Sequence, residues 1–290
     1  MFYREYKRIL SPKNGMNLYR GCTHGCIYCD SRSFCYQMDH DFENIEVKLH
    51  APQKLRAELQ QRRKKCMIGT GAMCDPYIPL EGKLCQTRAC LEVIGQAGFG
   101  LAIQTKSAGI LRDLDLLAWI HKKGKCVVQM TLTTCDEALC RIIEPHVSTT
   151  KQRVQALKAF QAAGIPTVVW LSPILPFIND THENLRGILD SCFEAGVRGI
   201  VCFGFGVTLR AGSREYFYAA LDRHFPGIKE RYIRSYGSAY ECVSPNHPQL
   251  MHVFREACSR EGVLYEPGEV FAYLHEFPSP YEPEQLSMQF

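Results

Sequence analysis

Asn17-Leu-Tyr-Arg-Gly-Cys-Thr-His-Gly-Cys-Ile-Tyr-Cys-Asp30 is the stretch that decides how this 290-residue chain is read. Its three cysteines, Cys22, Cys26 and Cys29, stand four and then three positions apart. Three thiolates on a cubane iron–sulfur core leave one of its four irons without a protein ligand, open to another molecule. Two plainer readings stand beside this one. Zinc would need a fourth protein ligand for a structural site, which His24 or Cys35 could supply. Incidental thiols are the other, because the chain carries 15 cysteines; at that frequency the spacing arises by chance in roughly 4% of such chains. The neighbours favour a bulky inorganic core. Gly21 and Gly25 let the backbone wrap closely, and Tyr28 places an aromatic ring beside the open position.

The rest of the composition is ordinary for a globular protein: 46% hydrophobic and 22% charged residues, with a net charge of +4. That mild charge permits an anionic partner without demanding one. Met1-Phe-Tyr-Arg-Glu-Tyr-Lys-Arg8 is too charged for a secretory core, and no apolar run approaches the ~20 residues that span a bilayer. An odd number of cysteines without a secretion signal speaks for free thiols. The expectation is a protein of the reducing cytoplasm with no membrane partner.

Short apolar runs alternate with amphipathic segments, the pattern of βα units on a parallel sheet. Strands are expected near residues 16–19, 66–70, 101–105, 126–132, 167–172 and 199–203. The intervening helices carry readable stops. Leu84–Ala97 ends at Gly98, Lys122-Lys123 precede Gly124, residues 151–163 end at Gly164, and residues 185–195 end at Gly196. Six such units predict an open (βα)6 partial TIM barrel with a C-terminal helical and loop extension. In such barrels chemistry sits at the C-terminal strand ends. The barrel core is expected over 1–210 and the extension, packed across the barrel, over 211–290. Helices are expected at 213–225 and 248–261, and a loose tail from Pro278 to Phe290.

The loop Gly21-Cys-Thr-His-Gly-Cys-Ile-Tyr-Cys-Asp30 resembles the signature of radical S-adenosylmethionine enzymes, in the branch related to spore photoproduct lyase. Further motifs carry the likeness in order over roughly residues 15–210. They are Gly71-Ala-Met-Cys-Asp-Pro-Tyr-Ile-Pro79, Gln104-Thr-Lys-Ser107 with Leu111-Arg-Asp-Leu-Asp115, Thr131-Leu-Thr-Thr134 with Glu144-Pro145, and Leu175-Pro-Phe-Ile-Asn-Asp180.

The resemblance implies a [4Fe-4S] cluster on Cys22, Cys26 and Cys29. S-adenosylmethionine would chelate the open iron and be cleaved by one electron to a 5′-deoxyadenosyl radical that takes hydrogen from a substrate. The electron would come from a low-potential donor of flavodoxin or ferredoxin type. The cofactor contacts implied are Tyr28, Cys74 or Asp75 in the second-strand loop, Lys106 as a point charge on the carboxylate, and Thr131. The implied substrate is a nucleic-acid base or lesion; the alternatives are the same chemistry on a peptide or small molecule, or a non-catalytic zinc-binding module.

One departure matters. The lyase has a hydrogen-returning cysteine two residues before a serine in its second-strand loop, and the matching position here is Ala72. Cys74 and Cys35 are the nearby substitutes, so repair of a thymine photodimer does not follow from the likeness. Arg62-Arg-Lys-Lys65 and Lys122-Lys-Gly-Lys125 end helices and read as dipole partners on the far face of the barrel. Arg210, Arg214, Arg231 and Arg234, interleaved with Tyr216, Tyr218, Tyr232 and Tyr236, are better placed to meet phosphates and stacked bases.

Overall fold

The computed structural model describes residues 1–278. The loose tail expected from Pro278 onward therefore falls almost wholly outside the described residues. Four short strands open the chain: β1 (Phe2–Arg4), β2 (Gly15–Met16), β3 (Tyr19–Arg20) and β4 (Glu46–Lys48). Five longer-spaced strands follow as β5 (Met67–Thr70), β6 (Gly100–Thr105), β7 (Cys126–Thr131), β8 (Thr167–Trp170) and β9 (Gly199–Val201). An antiparallel pair, β10 (Gly206–Thr208) with β11 (Glu241–Val243), completes the strands.

The principal sheet is parallel throughout, with strand order β2-β5-β6-β7-β8-β9. Its two edges do not pair with each other, so this is the open six-stranded partial barrel expected. The helices between these strands are α1 (Ala51–Gln60), α2 (Glu81–Leu84), α3 (Gln86–Ala97), α4 (Leu114–Lys123), α5 (Glu137–Ile143), α6 (Thr150–Ala162) and α7 (His182–Glu194). The extension adds α8 (Ser213–His224), α9 (Ile228–Tyr236), α10 (His247–Arg260) and α11 (Pro267–His275).

Local chemistry explains most boundaries. Pro52 sits in the first turn of α1, where no intrahelical N–H is lost. Thr149 and Gln152 form a reciprocal capping box at the start of α6. Gly98 closes α3 in the left-handed conformation. Two expectations need correction. The single strand over residues 16–19 is two strands in different sheets: β2 joins the barrel, whereas β3 pairs with β4 in a small sheet with β1. The helix expected from Leu84 to Ala97 is broken at Cys85, whose φ of +51° ends α2 before α3 begins.

The strands are buried on both faces. Ile68, Leu101, Ile103, Val128, Met130, Val169 and Ile200 join the large core with the surrounding helices. The alternate residues Met67, Ala102, Val127, Val168 and Val201 turn to the concave face and pack against Val270 and Leu274 of α11. The last described helix therefore fills the lumen of the barrel. Lys125 fixes its end by donating to the carbonyls of Tyr273 (2.6 Å) and Glu276 (3.2 Å). The free edge of β9 is covered too: Ile200 N–H donates to Leu264 O at 2.8 Å, and Leu264 N–H to Arg198 O at 3.2 Å. Among the described residues, no helix is long and apolar enough to cross a membrane.

Candidate active site

The three-cysteine loop runs from β3 across the C-terminal ends of the barrel strands, seated on backbone groups of distant segments. Gly21 has φ +84°, and a Cβ there would collide with the carbonyl oxygen of Phe42; that same oxygen accepts the N–H of Cys22 at 3.0 Å. Gly25, at φ +71°, packs on Pro145 and His146. Ile27 N–H donates to Ile143 O at 3.0 Å, and His146 N–H to His24 O at 3.1 Å.

A buried ionic chain underlies this seat. The Tyr28 hydroxyl donates to Glu144 Oε1. Arg153 of α6 meets Glu144 Oε2 at 2.5 Å and donates to Thr131 O, at the end of β7, at 2.7 Å. The side chains of Glu144 and Arg153 are both fully buried. Burial pushes the Glu144 carboxyl up, but Arg153 and Lys106 outweigh it and hold the group below the usual carboxylate range. The cluster loop, the fourth βα unit and the strand end are thus one connected network.

The sequence-predicted residues divide into two groups. Tyr28, Cys29 and Lys106 line one cavity of about 480 Å³, a size suited to a small-molecule cofactor or substrate. Lys106 is half-buried, and its Nζ stands 6.0 Å from the centre of the Tyr28 ring. Burial alone would push its ammonium down; the sulfurs of Cys26 and Cys29 when ionised, with the carboxylates of Glu144 and Asp75, outweigh this and raise it. Among the described residues its ammonium donates no hydrogen bond, so it is available to a ligand.

Asp75, Cys74 and Thr131 stand behind this wall. Asp75 accepts from Thr105 Oγ1 (2.6 Å), Lys106 N (2.7 Å) and Tyr77 N (2.8 Å), stapling the β5 loop to the end of β6 and orienting Lys106. Cys74 is buried and donates its thiol to Gly21 O at 2.8 Å. Thr131 is buried and engaged through its carbonyl by Arg153. None of the three lines the cavity; Ala72 and Met73 do.

The donor set fits a multi-iron core better than one zinc ion. Ligands of a tetrahedral zinc converge to within about 4 Å of one another. Among the described residues, the one triplet of Cys, His, Asp and Glu ligand atoms mutually within 4.8 Å is Asp39, His40 and Glu46, not the three sulfurs. His24, the candidate fourth ligand, places its Nδ1 3.5 Å from Asp75. Burial pushes the Cys22 thiol up to about 12 and Cys26 well above the ordinary thiol range. Thiols in so dry a place become ligands only when a metal displaces their protons.

Sequence reasoning missed the rest of the wall. Trp170 and Phe203 form its aromatic side, with ring centres 6.0 Å apart. Phe203 is 63% exposed although large and apolar. The extension supplies Glu241, Cys242, Val243 and His247. Phe205 N–H donates to His247 Nδ1 at 3.1 Å, which leaves the hydrogen of the neutral ring on Nε2. Trp170 had one signal, as one of only two tryptophans; His247 had none.

The arginine–tyrosine stripe of the extension is mostly internal glue. Arg214 donates to the carbonyls of Leu209, Ser238 and Ala239. Tyr232 is buried and donates to Pro176 O. Arg231 lies 3.9 Å over the Phe177 ring, and Arg210 donates to the Tyr240 hydroxyl at 2.6 Å.

An open parallel barrel with a three-thiol loop and a charged lysine at its C-terminal end is the arrangement of an enzyme whose chemistry sits at the strand ends. Residues 16–192 match the profile of the Radical SAM superfamily, and the chain belongs to that superfamily of radical S-adenosylmethionine enzymes. Such enzymes work with S-adenosylmethionine and an iron–sulfur cluster, fed by a reductant. The chain is 32% identical over 229 residues to the uncharacterized protein Rv2578c of Mycobacterium tuberculosis, covering 76% of this chain and 66% of the relative. It is 30% identical over 177 residues to the uncharacterized protein MJ0683 of Methanocaldococcus jannaschii, covering 60% and 65%. The match thus spans slightly less than two thirds of either relative. In fold it is similar to spore photoproduct lyase solved with a dinucleoside spore photoproduct, at a TM-score of 0.61 and 15% identity, over 86% of this chain and 74% of that one.

Proposed function

We propose that the chain holds a [4Fe-4S] cluster on Cys22, Cys26 and Cys29 and uses S-adenosylmethionine to abstract hydrogen from a substrate seated against Trp170 and Phe203. The observation that carries this reading is the meeting of the three-cysteine loop, through Tyr28 and Cys29, with Lys106 at one cavity. When bound, the cluster and cofactor supply reductive cleavage of the sulfonium and a carbon radical strong enough to take hydrogen. The protein does the rest. Lys106 holds the cofactor carboxylate as a point charge. Tyr28, locked by Glu144, keeps one wall of the site rigid. Asp75 acts through Lys106 as a positioning residue, and Cys74 and Thr131 belong to the supporting frame. Residues 1–210 form the radical-generating core, and the extension completes the substrate side through Glu241, Cys242, Val243 and His247.

The substrate reading that fits best is a planar base. Trp170 and Phe203 offer apolar ring faces at the mouth, and base–aromatic stacking contributes about 1–3 kcal/mol per base. A peptide or small molecule is the second reading, favoured by Arg214, whose guanidinium is spent on carbonyls of its own chain rather than offered to a phosphate backbone. Photodimer repair is not supported, since Ala72 stands where the lyase keeps its cysteine. The reductant is proposed to be a flavodoxin or ferredoxin in the cytoplasm. Anaerobic reconstitution followed by dithionite and S-adenosylmethionine should release 5′-deoxyadenosine. Deuterium transfer into that product, scanned over deuterated oligonucleotides and then peptides, separates the two substrate readings.

A further inference from the structure

The geometry points to a second metal site, built from Asp39, His40 and Glu46 and separate from the three-cysteine loop. Asp39 and His40 lie in the segment between that loop and β4, and Glu46 begins β4. Their ligand atoms all lie within 4.8 Å of one another.

The stronger observation concerns two buried acceptors. His40 Nδ1 lies 2.9 Å from Asp41 O. A carbonyl oxygen only accepts, so this nitrogen carries the ring hydrogen and Nε2 of the neutral ring is a bare lone pair. Nε2 faces Glu46 Oε2 at 3.4 Å, and neither atom has a hydrogen-bond partner among the described residues. The two side chains are only 9% and 0% exposed. Two lone pairs facing each other in a dry pocket repel unless positive charge lies between them. The Tyr6 hydroxyl donates to Glu46 Oε1, which fixes the carboxylate and turns Oε2 toward His40.

Arg4 supplies part of that charge from the solvent side. Its Nη1 lies 3.1 Å from Glu46 Oε2, and its two terminal nitrogens reach Asp39 at 3.2 and 3.0 Å. It is not aligned to donate to Oε2, which stays unsatisfied. Its side chain is 37% exposed. An imidazole with two carboxylates is a nitrogen–oxygen set suited to zinc or a neighbouring first-row divalent ion, with water completing the shell. Arg4 and the metal would compete for the same carboxylates. The site would also bear on the cysteine loop, because Phe42, within the same segment, accepts the Cys22 N–H and covers Gly21.

The test uses the full chain with its iron–sulfur cluster reconstituted, so that the loop thiols are occupied. It does not depend on any substrate or on turnover. Equilibrium dialysis against zinc, with metal analysis, should give one zinc beyond the iron, and anomalous diffraction at the zinc edge should place it between His40 and Glu46. His40→Ala should weaken this binding at least about tenfold. Arg4→Gln, which removes the competing cation, should tighten it at least threefold. No zinc above the iron content, or zinc located at exposed thiols and indifferent to His40→Ala, would overturn the proposal. Should His40→Ala fail to fold, Arg4→Gln decides: unchanged or weaker zinc binding there means that His40 simply carries a second proton.

Discussion

Tyr28 and Glu144, 116 residues apart in sequence, are joined by a buried hydrogen bond that ties the three-cysteine loop to the fourth βα unit. Arg153 completes the link by holding both Glu144 and the carbonyl of Thr131. The cysteines are therefore placed by an ionic chain inside the barrel rather than by their own loop alone.

Breaking that chain should be costly. Glu144→Gln leaves the Arg153 guanidinium buried without its counter-charge, a loss of about 3–5 kcal/mol. Thermal unfolding of the cluster-loaded protein should show a midpoint lowered by several degrees, with faster release of iron. Tyr28→Phe removes a single hydrogen bond to a charged group and should cost about 1.5–3 kcal/mol. Equal midpoints for wild type and Glu144→Gln would mean the chain does not support the loop.

Lys106→Ala should weaken S-adenosylmethionine binding about 10–100-fold, the equivalent of one charged hydrogen bond of about 1.5–3 kcal/mol. Iron and sulfide content should not change, since Lys106 is no cluster ligand. Lys106→Arg should rescue poorly, because a planar fork does not reproduce a point charge. Calorimetry on the loaded protein reads the two affinities, and iron and sulfide analysis reads the cluster content.

Phe203→Ala should leave stability nearly unchanged, within about 0.5 kcal/mol, because the ring is already largely exposed. Substrate conversion should fall while 5′-deoxyadenosine release without product continues. A variant with unaltered coupling would remove Phe203 from the substrate wall.

Leu274→Ala tests the helix that fills the barrel. Leu274 is 3% exposed and packs on the concave face of the strands. Loss of its side chain should cost about 2–5 kcal/mol. A cost below about 1 kcal/mol would show that α11 rests on the barrel without stabilising it.

The barrel was legible because its strands carry continuous apolar runs and its helices end on Gly98, Gly124, Gly164 and Gly196. The cysteine loop and Lys106 were legible as motifs at strand ends. What escaped was set by distant packing. Cys85 carries no local signal that it adopts φ +51° and interrupts a helix. The β10–β11 pair joins segments more than thirty residues apart, and α9 and α11 are short helices whose apolar faces match surfaces formed elsewhere. Cys74 and Asp75 were singled out as ligand contacts, yet the fold turns both inward, to Gly21 and to the end of β6. Glu144 stood in a quoted motif, but only its contact with Tyr28 and Arg153 gives it a role.

The central claim is a cluster held by three cysteines with one corner free for S-adenosylmethionine. Electron paramagnetic resonance of the anaerobically reconstituted, dithionite-reduced protein tests it most directly. The reduced cluster should give a signal whose g values shift when S-adenosylmethionine is added, and Cys22→Ala, Cys26→Ala or Cys29→Ala should each abolish it. A spectrum unmoved by S-adenosylmethionine, or full iron retained in all three variants, would contradict the account.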